Sequence, residues 1–129
     1  MSTNTHTASW CPPCRAFTPK LTAFYAQAQK EAFEVVWCSS DDDAQQFKDY
    51  SAKMGPWLAV PFEDTALRTR LKQEYGVCAV KEQGAVGVKD RKRGIPTLAV
   101  IRPDGSVITL EGEEQVESLG LDALKKWTP

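Results

Sequence analysis

The chain has 129 residues and a formal charge of −1, with 42% apolar and 26% charged residues, the make-up of one soluble globular domain with a single core. The near-neutral balance excludes a general attraction to nucleic acid or to an anionic membrane, and no apolar run nears the roughly 18 residues of a spanning helix. Met1 to His6 is polar and lacks the apolar stretch of a signal peptide. A cytoplasmic setting is therefore expected, with the nucleus also open to it, where Cys11, Cys14, Cys38 and Cys78 serve chemistry or packing rather than a disulfide framework.

Residues 1–9, rich in Ser, Thr and Asn, read as a polar tail. From Cys14 to about Lys30, Phe17, Leu21, Phe24 and Ala28 form one helical stripe, with Pro19 expected to kink it. Phe33-Glu34-Val35-Val36-Trp37-Cys38 is the signature of a buried strand. Asp41-Asp42-Asp43 reads as the cap and acidic first turn of a helix through Phe47, Tyr50, Ser51 and Met54. Gly55-Pro56 breaks it, and Trp57 to Phe62 is an apolar connection. Asp64 caps a third helix, faced by Leu67, Leu71 and Tyr75 and stopped by Gly76.

Residues 78–94 show no period and read as a flexible insert. Thr97–Ile101 and Ser106–Leu110 are strands around the turn Arg102-Pro103-Asp104-Gly105. A closing helix over 119–127 turns Leu121, Leu124 and Trp127 inward. The order helix, strand, helix, helix, strand, strand, helix implies an α/β fold, parallel strands first and an antiparallel hairpin last. Residues 1–129 form one domain without repeats.

The chemistry lies in Trp10-Cys11-Pro12-Pro13-Cys14-Arg15. Thiol–disulfide exchange needs a thiolate that attacks and a second thiol that resolves the mixed disulfide. A helix N-terminus supplies unpaired N–H groups and a favourable dipole, and cysteines so placed have pKa values of roughly 3.5–7.5 rather than about 8.5. Cys11 is the expected nucleophile and Cys14 the resolving thiol, while Pro12 and Pro13 stiffen the opening turn. C-x-x-C is also a metal knuckle. A closed zinc site needs four ligands, and His6, Cys38 and Cys78 complete no second knuckle, so no metal is expected. The acidic run reads as capping. No P-loop, Ser-His-Asp set or Rossmann fingerprint is present, which predicts no bound flavin or nicotinamide and an external dithiol donor of electrons. His6 is expected in solvent, Cys38 as a buried small hydrophobe, and Cys78 as core or as a second thiol.

Four blocks, Trp10-Cys-Pro-Pro-Cys-Arg, Phe33-Glu-Val-Val, Pro56-Trp-Leu-Ala-Val-Pro-Phe and Ile95-Pro-Thr-Leu, together resemble the tryparedoxin/nucleoredoxin branch of the thioredoxin-like superfamily. The resemblance implies a thioredoxin-like three-layer fold, a mixed sheet flanked by helices, and a dithiol oxidoreductase acting on protein or small-molecule disulfides. By that likeness Trp10 flanks the thiols, Pro96 after Ile95 is a cis-proline facing them, and Trp57 packs nearby, all helping to bind substrate. Peroxiredoxin-type proteins are implied substrates and a dithiol or reductase the implied donor; neither nucleic acid nor membrane is.

The chain departs from that branch in three places. Ser2 to Thr7 stand where the family has an apolar central strand, so the usual N-terminal strands read as truncated or replaced by a polar segment. Cys78 to Gly94 intervene before the Ile95-Pro96 block and carry a net charge of +3 (five cations against Glu82 and Asp90); leading into Ile95, they are expected to begin or end beside the thiols and to steer anionic partners. Leu110 to Glu114 is acidic where the family tends to carry arginines. These departures leave a second expectation, a thioredoxin-fold interaction module impaired in turnover.

Overall fold

Among the described residues, 1–28 and 33–128, five strands form one mixed sheet in the computed structural model. They are β1 (Ser2–Thr7), β2 (Glu34–Ser39), β3 (Leu58–Ala59), β4 (Thr97–Ile101) and β5 (Val107–Thr109), in the order β3-β2-β1-β4-β5. β1 is parallel to β2 and β2 to β3, whereas β4 is antiparallel to both β1 and β5.

The expected polar tail is therefore the central strand. Thr3 pairs with Val35 on one side and Val100 on the other, and His6 with Cys38 and Thr97. Strand pairing uses main-chain groups that every residue here possesses, and threonine's branched Cβ suits extended backbone. Thr3, Thr5, His6 and Thr7 are each 0% exposed, which overturns the expectation of a solvent-exposed His6. The cost is polar groups taken out of water: Thr5 Oγ1, Thr7 Oγ1 and both His6 ring nitrogens are buried with no hydrogen-bond partner among the described residues.

Helix α1 (Pro12–Ala28) covers one face of the sheet. Phe17, Leu21, Phe24 and Ala28, the predicted stripe, are all buried, against Phe33, Val35, Leu98, Val100 and Trp127. Pro19 stays on the exposed side of one continuous helix, and the predicted end at Lys30 lies outside the described residues. α2 (Ala44–Ser51) is capped by the Asp43 carboxylate, which accepts from Gln46 N at 2.9 Å, and ends three residues before Met54. α3 (Thr65–Tyr75), capped by Asp64 and closed by Gly76 at φ 68°, covers the other face, where Tyr75 and Val77 meet Ala99 and Ile101.

The segment without a period is built rather than featureless. A 3-10 turn at Val80–Glu82 leads into α4 (Gln83–Val86). Its two ends are tied together: Val77 bridges to Arg93, the Lys92 and Arg93 amides donate to Gly76 O, and Arg91 Nε donates to Cys78 O at 2.9 Å. Such short turns bury too little of one face to leave a legible period. At the C-terminus the single closing helix is two, α5 (Gly112–Leu119) and α6 (Ala123–Trp127), joined by a 3-10 turn at Gly120–Asp122. Leu121 sits in that turn and is 42% exposed rather than inward, while Trp127 is buried as expected.

Candidate active site

Cys11 ends the loop after β1 and stands just before α1, whose first two residues are Pro12 and Pro13. Prolines carry no N–H, so Cys14 has the first amide donor of the helix, and it points at Cys11 Sγ at 3.3 Å. A sulfur thus occupies the place that a Ser or Asp oxygen takes at an ordinary N-cap. Any negative charge on that sulfur meets a direct N–H and the positive end of a 17-residue helix.

Cys11 and Cys14 are disulfide-bonded, with their Cα atoms 5.2 Å apart. Cys11 is 5% and Cys14 0% exposed, so attack from outside reaches Cys11 first. Pro12 and Pro13 are exposed beside it. The Ile95–Pro96 peptide bond is cis, and Cys11 Sγ lies 3.9 Å from Ile95 O. Trp10 and Ile95 pack against Ala8, Cys11 and Cys14 in one small cluster. Trp57 is not brought to it. That side chain packs edge-to-face on Tyr25, 5.5 Å between ring centroids; Tyr25 is eleven residues beyond Cys14, about 16 Å along the helix.

The loop after β2 holds this cluster from below. The Trp10 indole donates to Ser40 O at 3.3 Å, and Ser9 N donates to the Asp41 carboxylate at 2.7 Å. Asp41 also accepts from Ser39 Oγ at 2.7 Å. The three aspartates read as one capping run thus divide their work: Asp41 is buried under Ser9, Asp42 pairs with Lys81, and Asp43 caps α2.

Residues 78–94 reach the same place from the other side. The Glu82 carboxylate accepts from Ala79 N at 2.8 Å, Ser40 Oγ at 2.5 Å and Lys72 Nζ at 2.5 Å. The Lys72 side chain is 1% exposed, a buried cation that no apolar period in α3 announces. Lys81 Nζ lies 3.8 Å from the centroid of the Trp10 ring. Arg93 pairs with Glu114, so the acidic rim is partly answered by the insert's own cation. Burial, a hydrogen bond with Glu114 and the neighbouring Glu117 push Glu113 up to about 7.

The other thiols are unlike Cys11. Cys38 lies under α3, its Sγ 3.8 Å from Arg68 O, and burial pushes it up to about 11. Cys78 is fully buried and its thiol is likewise raised by burial. His6 faces Tyr75, and burial followed by the charge of Lys72 lowers it to about 3. Among the described residues no three His, Cys, Asp or Glu side chains converge as metal ligands, and no helix is long and apolar enough to cross a membrane.

Known proteins resemble this chain in sequence and in fold. A thioredoxin-like family model matches residues 6–107. Mouse nucleoredoxin is 40% identical over 111 residues, covering 84% of this chain and 22% of its own length. Tryparedoxin of Trypanosoma brucei brucei is 39% identical over 111 residues, 84% of this chain and 66% of its own. Thus the chain spans about a fifth of the nucleoredoxins it matches (22% of mouse, 18% of Arabidopsis thaliana probable nucleoredoxin 1). Among solved structures, tryparedoxin II complexed with glutathionylspermidine superposes with a TM-score of 0.77 at 39% identity, covering 99% of this chain and 79% of that one. Tryparedoxin from Trypanosoma brucei gives 0.76 at 33% identity, with the same coverages of 99% and 79%. The sulfur-capped helix, the cis-proline and the mixed sheet therefore go with a sequence likeness spread over most of the domain, and the chain belongs to the thioredoxin-like family, among the tryparedoxins and nucleoredoxins.

Proposed function

We propose that the protein reduces disulfides in proteins or small molecules through Cys11 and Cys14, in a reducing, cytoplasmic compartment. The Cys11 thiolate attacks one sulfur of the substrate disulfide; a Cys11–substrate bond forms, and the other substrate sulfur leaves and takes a proton. Cys14, as thiolate, then attacks Cys11 Sγ, closing the Cys11–Cys14 disulfide and releasing the second substrate thiol. Two electrons have passed to the substrate, and an external dithiol returns them without a bound flavin or nicotinamide. Peroxiredoxin-type proteins fit the substrate class. Trp10, Pro12, Pro13, Ile95 and Pro96 supply the surface on which the substrate lies.

The observation that carries this reading is the Cys14 amide 3.3 Å from Cys11 Sγ, a group that stabilises a thiolate at that atom, whereas burial raises the Cys38 and Cys78 thiols. Insulin-disulfide reduction tests it. Cys11→Ser abolishes turnover, and Cys14→Ser leaves a persistent mixed disulfide with substrate.

A second reading, an interaction module with poor turnover, draws on the buried side-chain groups of Thr5, His6 and Thr7, which have no hydrogen-bond partner among the described residues. Wild-type protein that captures partners and reduces nothing favours the module.

A further inference from the structure

Lys81 stands beside the redox pair, over the tryptophan that precedes Cys11. Its Nζ lies 3.8 Å from the centroid of the Trp10 ring, and Trp10 precedes Cys11 and packs with Cys11, Cys14 and Ile95. Both partners of that contact are fixed through one residue. Ser40 accepts the Trp10 indole N–H on its carbonyl oxygen, and its hydroxyl donates to Glu82, the neighbour of Lys81. Glu82 is held in turn by Ala79 N and by the buried Lys72. The 3-10 turn bearing Lys81 is therefore clamped on the rim of the redox pair.

The ammonium itself is not committed. Lys81 pairs with Asp42 at 2.9 Å, and each of these side chains is 50% exposed. An exposed pair of this kind contributes little net stability, because water and salt compete for both charges. Exchanging Asp42 for another carboxylate is nearly free, and the stacked indole keeps the cation in place meanwhile. Val80 beside it is 69% exposed, an apolar shoulder for the same stretch of chain.

Resting on the dithiol reading above, we infer that Lys81 is a specificity-determining residue that receives an acidic side chain next to the disulfide of a polypeptide substrate, with Asp42 occupying that position in its absence. Acidic-flanked disulfides are thus reduced in preference to basic-flanked ones, and the discriminating residue comes from the segment between α3 and β4 rather than from the sheet or α1.

The test uses two disulfide peptides, identical except that the residues flanking one cysteine are Glu in one and Lys in the other, and reads the ratio of their kcat/KM values at low and high salt. Wild-type protein favours the Glu peptide by about two- to fivefold at low salt, the range an exposed pair gives, and less at high salt. Lys81→Ala brings the ratio close to one, Lys81→Glu inverts it, and Asp42→Asn raises it. Lys125→Ala, which removes a surface cation from α6, leaves the ratio where it was; a fall as large as that of Lys81→Ala would mean that net charge is acting, and overturns the assignment. Reduction of both peptides with a ratio that ignores Lys81→Ala and Lys81→Glu also overturns the role of Lys81 while the dithiol chemistry stands. Reduction of neither peptide defeats the dithiol reading itself, and the inference with it.

Discussion

His6 and Tyr75 meet edge-to-face between the central strand and α3, 6.5 Å between ring centroids and 79° between ring planes. The imidazole has no hydrogen-bond partner for either nitrogen among the described residues, and Lys72 adds a like charge that opposes protonation. Burial, followed by that like charge, lowers the imidazole to about 3, well below its ordinary 6.5. Between those values the unfolded chain binds a proton that the folded chain refuses, so the His6 contribution to stability rises with pH through this window and levels off above it. Glu113, pushed up to about 7 by burial, contributes the opposite slope over the upper part of the window. The slope owed to His6 is at most ~1.4 kcal/mol per pH unit. Urea unfolding at several pH values between 4 and 7 checks this, and His6→Val removes the rising component.

Thr5 offers a cleaner measure of what the polar strand costs. Its hydroxyl is buried with no hydrogen-bond partner among the described residues, and valine has nearly the same shape. Thr5→Val is expected to stabilise the fold by about 1–2 kcal/mol, the lower part of the range for an unsatisfied buried polar group. Thr3→Val gives no such gain, since the Thr3 hydroxyl donates to Glu34 O at 3.0 Å. A thermal midpoint for Thr5→Val no higher than wild type would contradict this.

These two residues also mark what the sequence could and could not disclose. The α1 stripe, the caps at Asp43 and Asp64 and the C-x-x-C turn were legible because each is a local pattern with a local cause. β1 was not. Strand identity there comes from backbone pairing with β2 and β4, partners some thirty and ninety residues away, while its side chains follow no apolar alternation. Lys72 and Glu82 were hidden for a related reason. A buried ion pair joins two segments that look like an ordinary polar helix face and an aperiodic loop. Trp57 carried a family motif, yet β3 pairs only Leu58 and Ala59 with β2 and sets the indole on Tyr25.

The Lys72–Glu82 pair is expected to be costly to break from one side. With Lys72 replaced by Met, Glu82 keeps Ser40 and Ala79 as donors but loses its countercharge at 16% exposure. Removing one partner of a buried pair costs about 3–5 kcal/mol, while removing both leaves no stranded charge. Lys72→Met should fall in that range and the Lys72→Met/Glu82→Gln double variant should recover part of it. A double-mutant cycle by urea unfolding measures the coupling. Strictly additive losses would mean that the charges do not depend on one another.

Gly112 gives a prediction in which two rules oppose each other. It opens α5, where alanine has the better helix propensity by about 1 kcal/mol. A Cβ there would sit 2.5 Å from Leu98 O, a backbone oxygen within β4 that cannot swing away as a side chain can. Overpacking against fixed backbone costs typically 1–3 kcal/mol, which outweighs the propensity gain. Gly112→Ala is therefore expected to lower the thermal midpoint although it improves the helix. Gly84→Ala in α4, where an added Cβ meets nothing within 4 Å, supplies the comparison and should be neutral or stabilising. If both variants gain stability, α5 does not approach β4 as closely as Gly112 allows.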